Sequence, residues 1–221
     1  MNVKRETFGS NEKSNRIAHL YRLVTIAEDY YEEYGIEVTT DLNNLYSKDE
    51  VTPLHYSEIK LGVGPYNYKI LYREVYRLFV ELVKEMMIEY SNLTNITNIE
   101  YLLILLNDGN FIILEGDENK IEVPFPSGVA SLHTHPDLCI FSRKDLETIS
   151  QLFSIGYLVS GVITTECGMF LYREGVFTID DKINLTKIIK MLKKTRKFEE
   201  ILDYYKLLNT SNLKLSILKF L

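Results

Sequence analysis

The segment Ser131-Leu-His-Thr-His-Pro-Asp-Leu-Cys-Ile-Phe-Ser-Arg-Lys-Asp145 decides how this chain is read. Its first part is extended in character. The apolar run over 129–135 ends at Pro136, which has no amide hydrogen to give a sheet and so closes a strand. On an extended segment side chains two apart share a face, so His133 and His135 present two imidazoles together. The second part, Ser142-Arg-Lys-Asp145, is a helix start, with Ser142 as N-cap and Asp145 in the first turn near the positive end of the helix dipole. Strand, short loop and helix thus gather two imidazoles and a carboxylate. That set leaves a fourth position open on a tetrahedral zinc ion, the arrangement of catalytic rather than structural zinc. The bland reading of the same residues is a capped helix beside a satisfied histidine pair on an edge strand.

Upstream, Tyr101-Leu-Leu-Ile-Leu-Leu106, the turn Asn107-Asp-Gly-Asn110 and Phe111-Ile-Ile-Leu114 predict a β-hairpin. Before it, Leu71, Val75, Leu78, Leu82 and Met86 fall at three- and four-residue steps. They predict a long core-facing helix over 68–90, followed by a polar joint over 91–98. A first amphipathic helix is expected over 14–34, capped by Ser14 and stopped at Gly35. The stretch 35–66 is turn-rich, with one short strand at 36–39. Downstream, strands are expected at 120–123, 157–164 and 169–173, a helix over 143–155 ending at Gly156, and two helical segments across 184–221. The pattern makes the class α/β (α+β), a layered mixed sheet flanked by helices. Its parts are an N-terminal helical extension (1–66), a catalytic unit (67–181) and a C-terminal helical segment (182–221).

Composition removes several alternatives. At 46% hydrophobic and 25% charged residues over 221 positions, the chain has the balance of a globular protein and not of a disordered one. A formal charge of −6 has the wrong sign for coating a phosphate backbone, so nucleic acid is not an expected partner. No stretch approaches the roughly 18 apolar residues of a membrane span, and the first residues lack the apolar core of a signal peptide. Cys139 and Cys167 are too few for a disulfide framework and lack Cys-x-x-Cys spacing, so reduced thiols and a cytoplasmic location are the expectation. His19 and His55 read as surface or packing histidines. The six basic residues between Lys187 and Lys197 read as a solvated helix face.

His133-Thr-His135-Pro136 with Ser142-x-x-Asp145, preceded by Glu100 at the head of an apolar strand, resembles the JAMM (MPN-type) metalloproteases, in their compact prokaryotic or archaeal form. The resemblance covers about residues 68–180 and includes the order of elements. It implies an MPN/JAB-like, cytidine-deaminase-like fold, with Zn2+ held by His133, His135 and Asp145. Glu100 matches the general base and Ser142 the oxyanion-side donor, while Glu115 and Glu122 are weaker matches for the base. The chain has nine residues between His135 and Asp145, one fewer than the family pattern, and only 32 between Glu100 and His133, which leaves little room for substrate-gripping insertions. The activity implied is zinc-dependent hydrolysis of an amide or isopeptide bond in a protein or peptide substrate, with a ubiquitin-like modifier as one implied form. Two other readings belong to the same resemblance: a non-catalytic MPN-type scaffold, and a RadC-like JAB protein of unsettled activity. No oligomeric state follows from the sequence.

Overall fold

The computed structural model describes residues 6–47, 64–118, 125–195 and 197–220. Strand β1 (Glu6–Ser10) leads into helix α1 (Glu12–Tyr34), and the cap between them is Asn11. The Asn11 side chain accepts from the Ser14 N–H, and the Asn11 N–H donates to the Ser14 hydroxyl oxygen. Ser14 is therefore the closing residue of a capping box, not the N-cap its position suggests. Three two-residue strands, β2 (Thr39–Thr40), β3 (Leu45–Tyr46) and β4 (Tyr66–Asn67), make a small sheet in the order β3-β2-β4.

Helix α2 (Ile70–Thr97) runs through most of the stretch expected to be a polar joint. Ser91 and Thr94 there are fully buried, and the Thr94 hydroxyl donates back to the Tyr90 carbonyl. The Thr94 hydroxyl, satisfied by its own helix, can face a core, while the buried Ser91 hydroxyl has no hydrogen-bond partner among the described residues. The hairpin follows as β5 (Ile99–Leu106) and β6 (Asn110–Glu118), turned at Gly109, whose φ of 92° favours glycine. Strand β7 (Gly128–Thr134), helix α3 (Arg143–Ser154) and strand β8 (Val159–Ile163) form a crossover unit, with Gly156 (φ 100°) ending the helix turn. Strand β9 (Cys167–Arg173), helices α4 (Ile179–Leu192) and α5 (Phe198–Lys206) and strand β10 (Leu213–Lys219) complete the described chain.

The main sheet is mixed, in the order β1-β6-β5-β7-β8-β9-β10, with β7 and β8 parallel and the other pairs antiparallel. Helices cover both faces, which is why β5 is apolar without alternation. Leu103, Leu105 and Leu132 join the core made with α1 and α2. Leu102 and Ile104 join the other core, with Leu146 and Ile149 of α3, Leu185 and Ile188 of α4, and Tyr205 of α5. Arg173 of β9, only 3% exposed, ties α1 to the sheet by pairing with Glu28, which also accepts from the Tyr72 hydroxyl. Burial raises the Glu28 carboxyl, and the Arg173 charge and the Tyr72 bond work against that rise.

The C-terminal stretch departs from the helical segment expected over 182–221. Residues 213–219 are strand β10, paired along its length with β9. Leu213-Lys-Leu-Ser-Ile217 alternates with period two, a strand signal that the two preceding helices obscured. The N-terminal stretch likewise contributes more than a helix, since β1 pairs with β6 in the main sheet. The strand expected at 120–123, with Glu122, and His55 lie outside the described residues. Among the described residues no helix is long and apolar enough to cross a membrane.

The cysteines correct the expectation of reduced thiols: Cys139 and Cys167 form a disulfide across 28 residues of sequence, with Cα atoms 5.8 Å apart. Their spacing carries no signal because the contact is made by the β8–β9 return, which brings the start of β9 against the loop before α3. In the chain-entropy account a closed loop of this length stabilises the fold by roughly 3.5 kcal/mol. Cys167→Ser is therefore expected to lower the melting temperature by about 7–14 °C in non-reducing buffer. The same variant should show no further loss when reductant is added, and differential scanning calorimetry reads both effects.

Candidate metal centre

The register of β5 against β7 builds the centre. Leu102 lies opposite His133, so the same antiparallel step carried back two residues sets Glu100 beside His135. His133 lies near the C-terminal end of β7 and His135 just beyond it, where β8 runs parallel and the His135 N–H donates to the Ile163 carbonyl at 2.8 Å. Such strand ends, facing a helix N-terminus, are where open α/β sheets hold ligands. Asp145 reaches the same point from the first turn of α3. Its Oδ2 accepts the Ser142 N–H at 2.5 Å, while the Ser142 hydroxyl accepts the Asp145 N–H at 3.2 Å, a capping box that fixes the carboxylate's aim.

The donor atoms converge. His133 Nε2 and His135 Nε2 are 2.9 Å apart, His133 Nε2 lies 3.4 Å from Asp145 Oδ1, and His135 Nε2 lies 3.7 Å from Asp145 Oδ2. Ligands at about 2.0–2.1 Å from a tetrahedral zinc ion stand about 3.3–3.4 Å from one another, so the three separations bracket what such an ion requires. His133, His135 and Asp145 could hold a metal ion on this geometry. The Nδ1–H of His135 is matched to the Leu138 carbonyl at 3.1 Å, which leaves Nε2 as the lone-pair nitrogen facing the site. The Glu100 carboxylate stops 3.9 Å from His135 Nε2, at the rim of the triangle and not within it.

The four side chains are each 17–20% exposed, and their electrostatics follow from that burial. For Asp145, burial acts to raise the carboxyl, but the His133 bond and charge, with the Ser142 N–H, outweigh it and hold the group at about 2. Burial acts to lower His133, and Asp145 and Glu100 outweigh it, so His133 is raised. His135 is lowered, by burial and by the neighbouring His133 charge. Burial also raises Glu100, with His133 opposing and Asp145 adding to the rise. A carboxylate raised in this way is a better proton acceptor near neutral pH.

A second set of bonds fixes where Glu100 points. Strand β5 shifts register against β6 between Ile99 and Tyr101. On its opposite edge, facing β7, the Tyr101 N–H donates to the Thr134 hydroxyl at 2.8 Å, and that hydroxyl lies 2.6 Å from the Thr94 hydroxyl, which donates to the Tyr90 carbonyl. Thr94 and Thr134 are fully buried and every group in the chain is satisfied. Thr134 lies between the two histidines, and alternation turns it to the opposite face, toward α2. Sequence reasoning passed over it. The visible signal was a hydroxyl residue on the core-facing side of an otherwise apolar strand.

Other residues singled out from sequence fall elsewhere. Glu115 is on β6, across β5 from the histidines, and its carboxylate accepts from the Tyr101 hydroxyl at 3.5 Å. His19 is half-buried on α1, away from the cluster, and Lys187, Lys190, Lys193, Lys194 and Lys197 are exposed. Glu100, His135 and Ser142 line a cleft of about 420 Å3, together with Leu192 of α4 and Ile201 and Tyr205 of α5. No pattern in the sequence pointed to those helices as part of the site. Set against family models, curated proteins and solved structures, the chain matches none of them.

Replacing Thr134 by Val removes the hydroxyl that accepts the buried Tyr101 N–H, at a cost of about 1–3 kcal/mol, whereas Thr134→Ser keeps it. Chemical denaturation is expected to place the two variants in that order below the wild type. The ion pair sets a pH signature in metal-free protein. The depressed Asp145 contributes stability that is present above its unfolded value near 3.9 and lost as pH falls toward 2. The raised His133 contributes below about 6.5 and is lost as pH rises through its folded value. Asp145→Asn is expected to flatten both limbs of a plot of melting temperature against pH.

Proposed function

We propose that this protein is a zinc-dependent metallopeptidase or isopeptidase of JAMM/MPN type, which hydrolyses an amide bond in a protein or peptide. The observation that carries the reading is the convergence of His133, His135 and Asp145 on one point with Glu100 at its rim. The succession α2, β5, β6, β7, α3, β8 supports the MPN/JAB-like assignment of the fold, because it places a long helix before the base-bearing strand and a Ser-x-x-Asp helix after the His-x-His strand.

Zinc bound by the two imidazoles and the carboxylate would supply Lewis acidity and a water of lowered pKa. The chain's own residues supply the rest. Glu100, raised by burial, stands where its carboxylate can take a proton from water and return it to the departing amine nitrogen. Ser142 accepts the Asp145 N–H as a cap, so its own hydroxyl proton remains to be donated to a carbonyl oxygen in the cleft. The Leu138 carbonyl keeps His135 in one tautomer, and the Thr134 bond keeps Glu100 on the cleft side. The loop over 136–144, one residue shorter than the family pattern, still delivers Asp145 within reach of both histidines.

Protein purified without added metal is expected to hold about one zinc per chain, and His133→Ala with His135→Ala to hold none. Elemental analysis reads this directly. Glu100→Gln should retain zinc and the melting profile but turn over a peptide or modifier-fusion substrate more slowly, by on the order of a hundredfold or more. Stoichiometric zinc in the double variant, or full turnover by Glu100→Gln, would remove the basis of the proposal.

A further inference from the structure

The cleft beside Glu100, His135 and Ser142 is lined by two unlike sets of side chains. One is the polar groups of the candidate centre. The other is Leu138 and Ile140 of the loop before α3, Leu192 from the end of α4 and Ile201 of α5. These four aliphatic side chains come from three separate segments. Leu138 is 54% exposed, and the other three pack partly against the core beneath α3, α4 and α5.

The apolar set is also held in place. The buried Tyr205 hydroxyl donates to the Phe141 carbonyl, tying α5 to the loop, and the Cys139–Cys167 disulfide ties the same loop to β9. A wall fixed from both sides before any ligand arrives is the construction of a preformed subsite. Its chemistry is selective. A charged side chain seated against the four aliphatic groups would lose hydration there, although the exposed Asp137 and Arg143 also line the cleft. A glycine would leave the wall wet.

We infer that this wall is a specificity subsite for a large apolar side chain, aliphatic or aromatic, on the residue that flanks the scissile amide. The inference rests on the proposed hydrolase reading for the word scissile, but the wall itself stands on geometry that needs no metal. The volume of about 420 Å3 takes one such side chain with its adjoining main chain, and Ile201 lines the same cleft as Glu100 and Ser142. Leu192 and Ile201 thereby give the helices after β9 a role in substrate choice.

Two measurements on the full chain test this. In the first, the protein as purified is titrated with N-acetyl-leucinamide and with N-acetylglycinamide, and the methyl resonances of Leu138, Ile140, Leu192 and Ile201 are followed. Saturable shifts are expected with the leucine compound, at an affinity about tenfold or more above the glycine compound. Ile201→Asp, and Leu138→Asp at a position exposed enough to leave the core untouched, should each abolish that preference. In the second, zinc-loaded protein is given a random peptide library and the cut sites are sequenced. Leu, Ile, Met and Phe are expected next to the cut in the wild type, and Ile201→Asp should lose the enrichment. Methyl shifts without any cleavage would overturn the hydrolase reading and leave the subsite standing. Unselective cleavage with silent methyls would overturn the subsite and leave the hydrolase standing.

Discussion

A buried backbone amide in the interior of a protein must find an acceptor, and the Tyr101 N–H, on the β7 edge of β5, finds the Thr134 hydroxyl. That bond joins the strand carrying Glu100 to the end of β7, at the residue between the two histidines. Thr94 then links the pair to α2, so a helix on the far face of the sheet sets the position of a carboxylate on the near face. Site geometry follows from this arrangement. Without the hydroxyl, the bond that ties the Tyr101 amide across to β7 would be lost.

The four titratable groups of the centre share a nearly closed environment, and each answers the others. The two acids sit beside the two bases at a burial where none of them is fully hydrated. Charge is therefore shared inside the cluster, and the shifts run in opposite directions for neighbours: Asp145 down, His133 up, His135 down, Glu100 up. A set of groups driven apart in this way is a pattern that functional sites share with structural ion-pair networks. A divalent cation would relieve the same tension, by replacing the proton that the two imidazoles and Asp145 compete to share.

Much of this was legible in the sequence because it is local. The His-x-His pair follows from strand alternation, the Ser142–Asp145 cap from helix-start chemistry, and the hairpin from an Asp-Gly turn between apolar runs. The two-faced covering of the sheet was foreshadowed by the unbroken Leu-Leu-Ile-Leu-Leu run of β5. What stayed hidden is non-local. The cysteines are 28 residues apart and meet only through the turn between β8 and β9. Ile201 and Leu192 approach the cleft because α4 and α5 fold back over α3, and nothing in an amphipathic helix says which neighbour its stripe will meet. The strand at 213–219 was misjudged for a related reason: a short period-two pattern after two helices takes its structure from the open edge of β9.

That same strand sets how the sheet ends. Any sheet exposes unpaired amides and carbonyls along its two outer strands, and those rows are templates on which another chain can add. Here β10 occupies one border and β1 the other. On β10, Lys214 and Lys219 flank the 55% exposed Ile217, so a second molecule aligning its backbone there would have to bury ammonium groups. The described part of β1 is Glu6–Ser10 and carries the exposed Phe8. The β10 border of the sheet is thus guarded against edge-to-edge aggregation by charge.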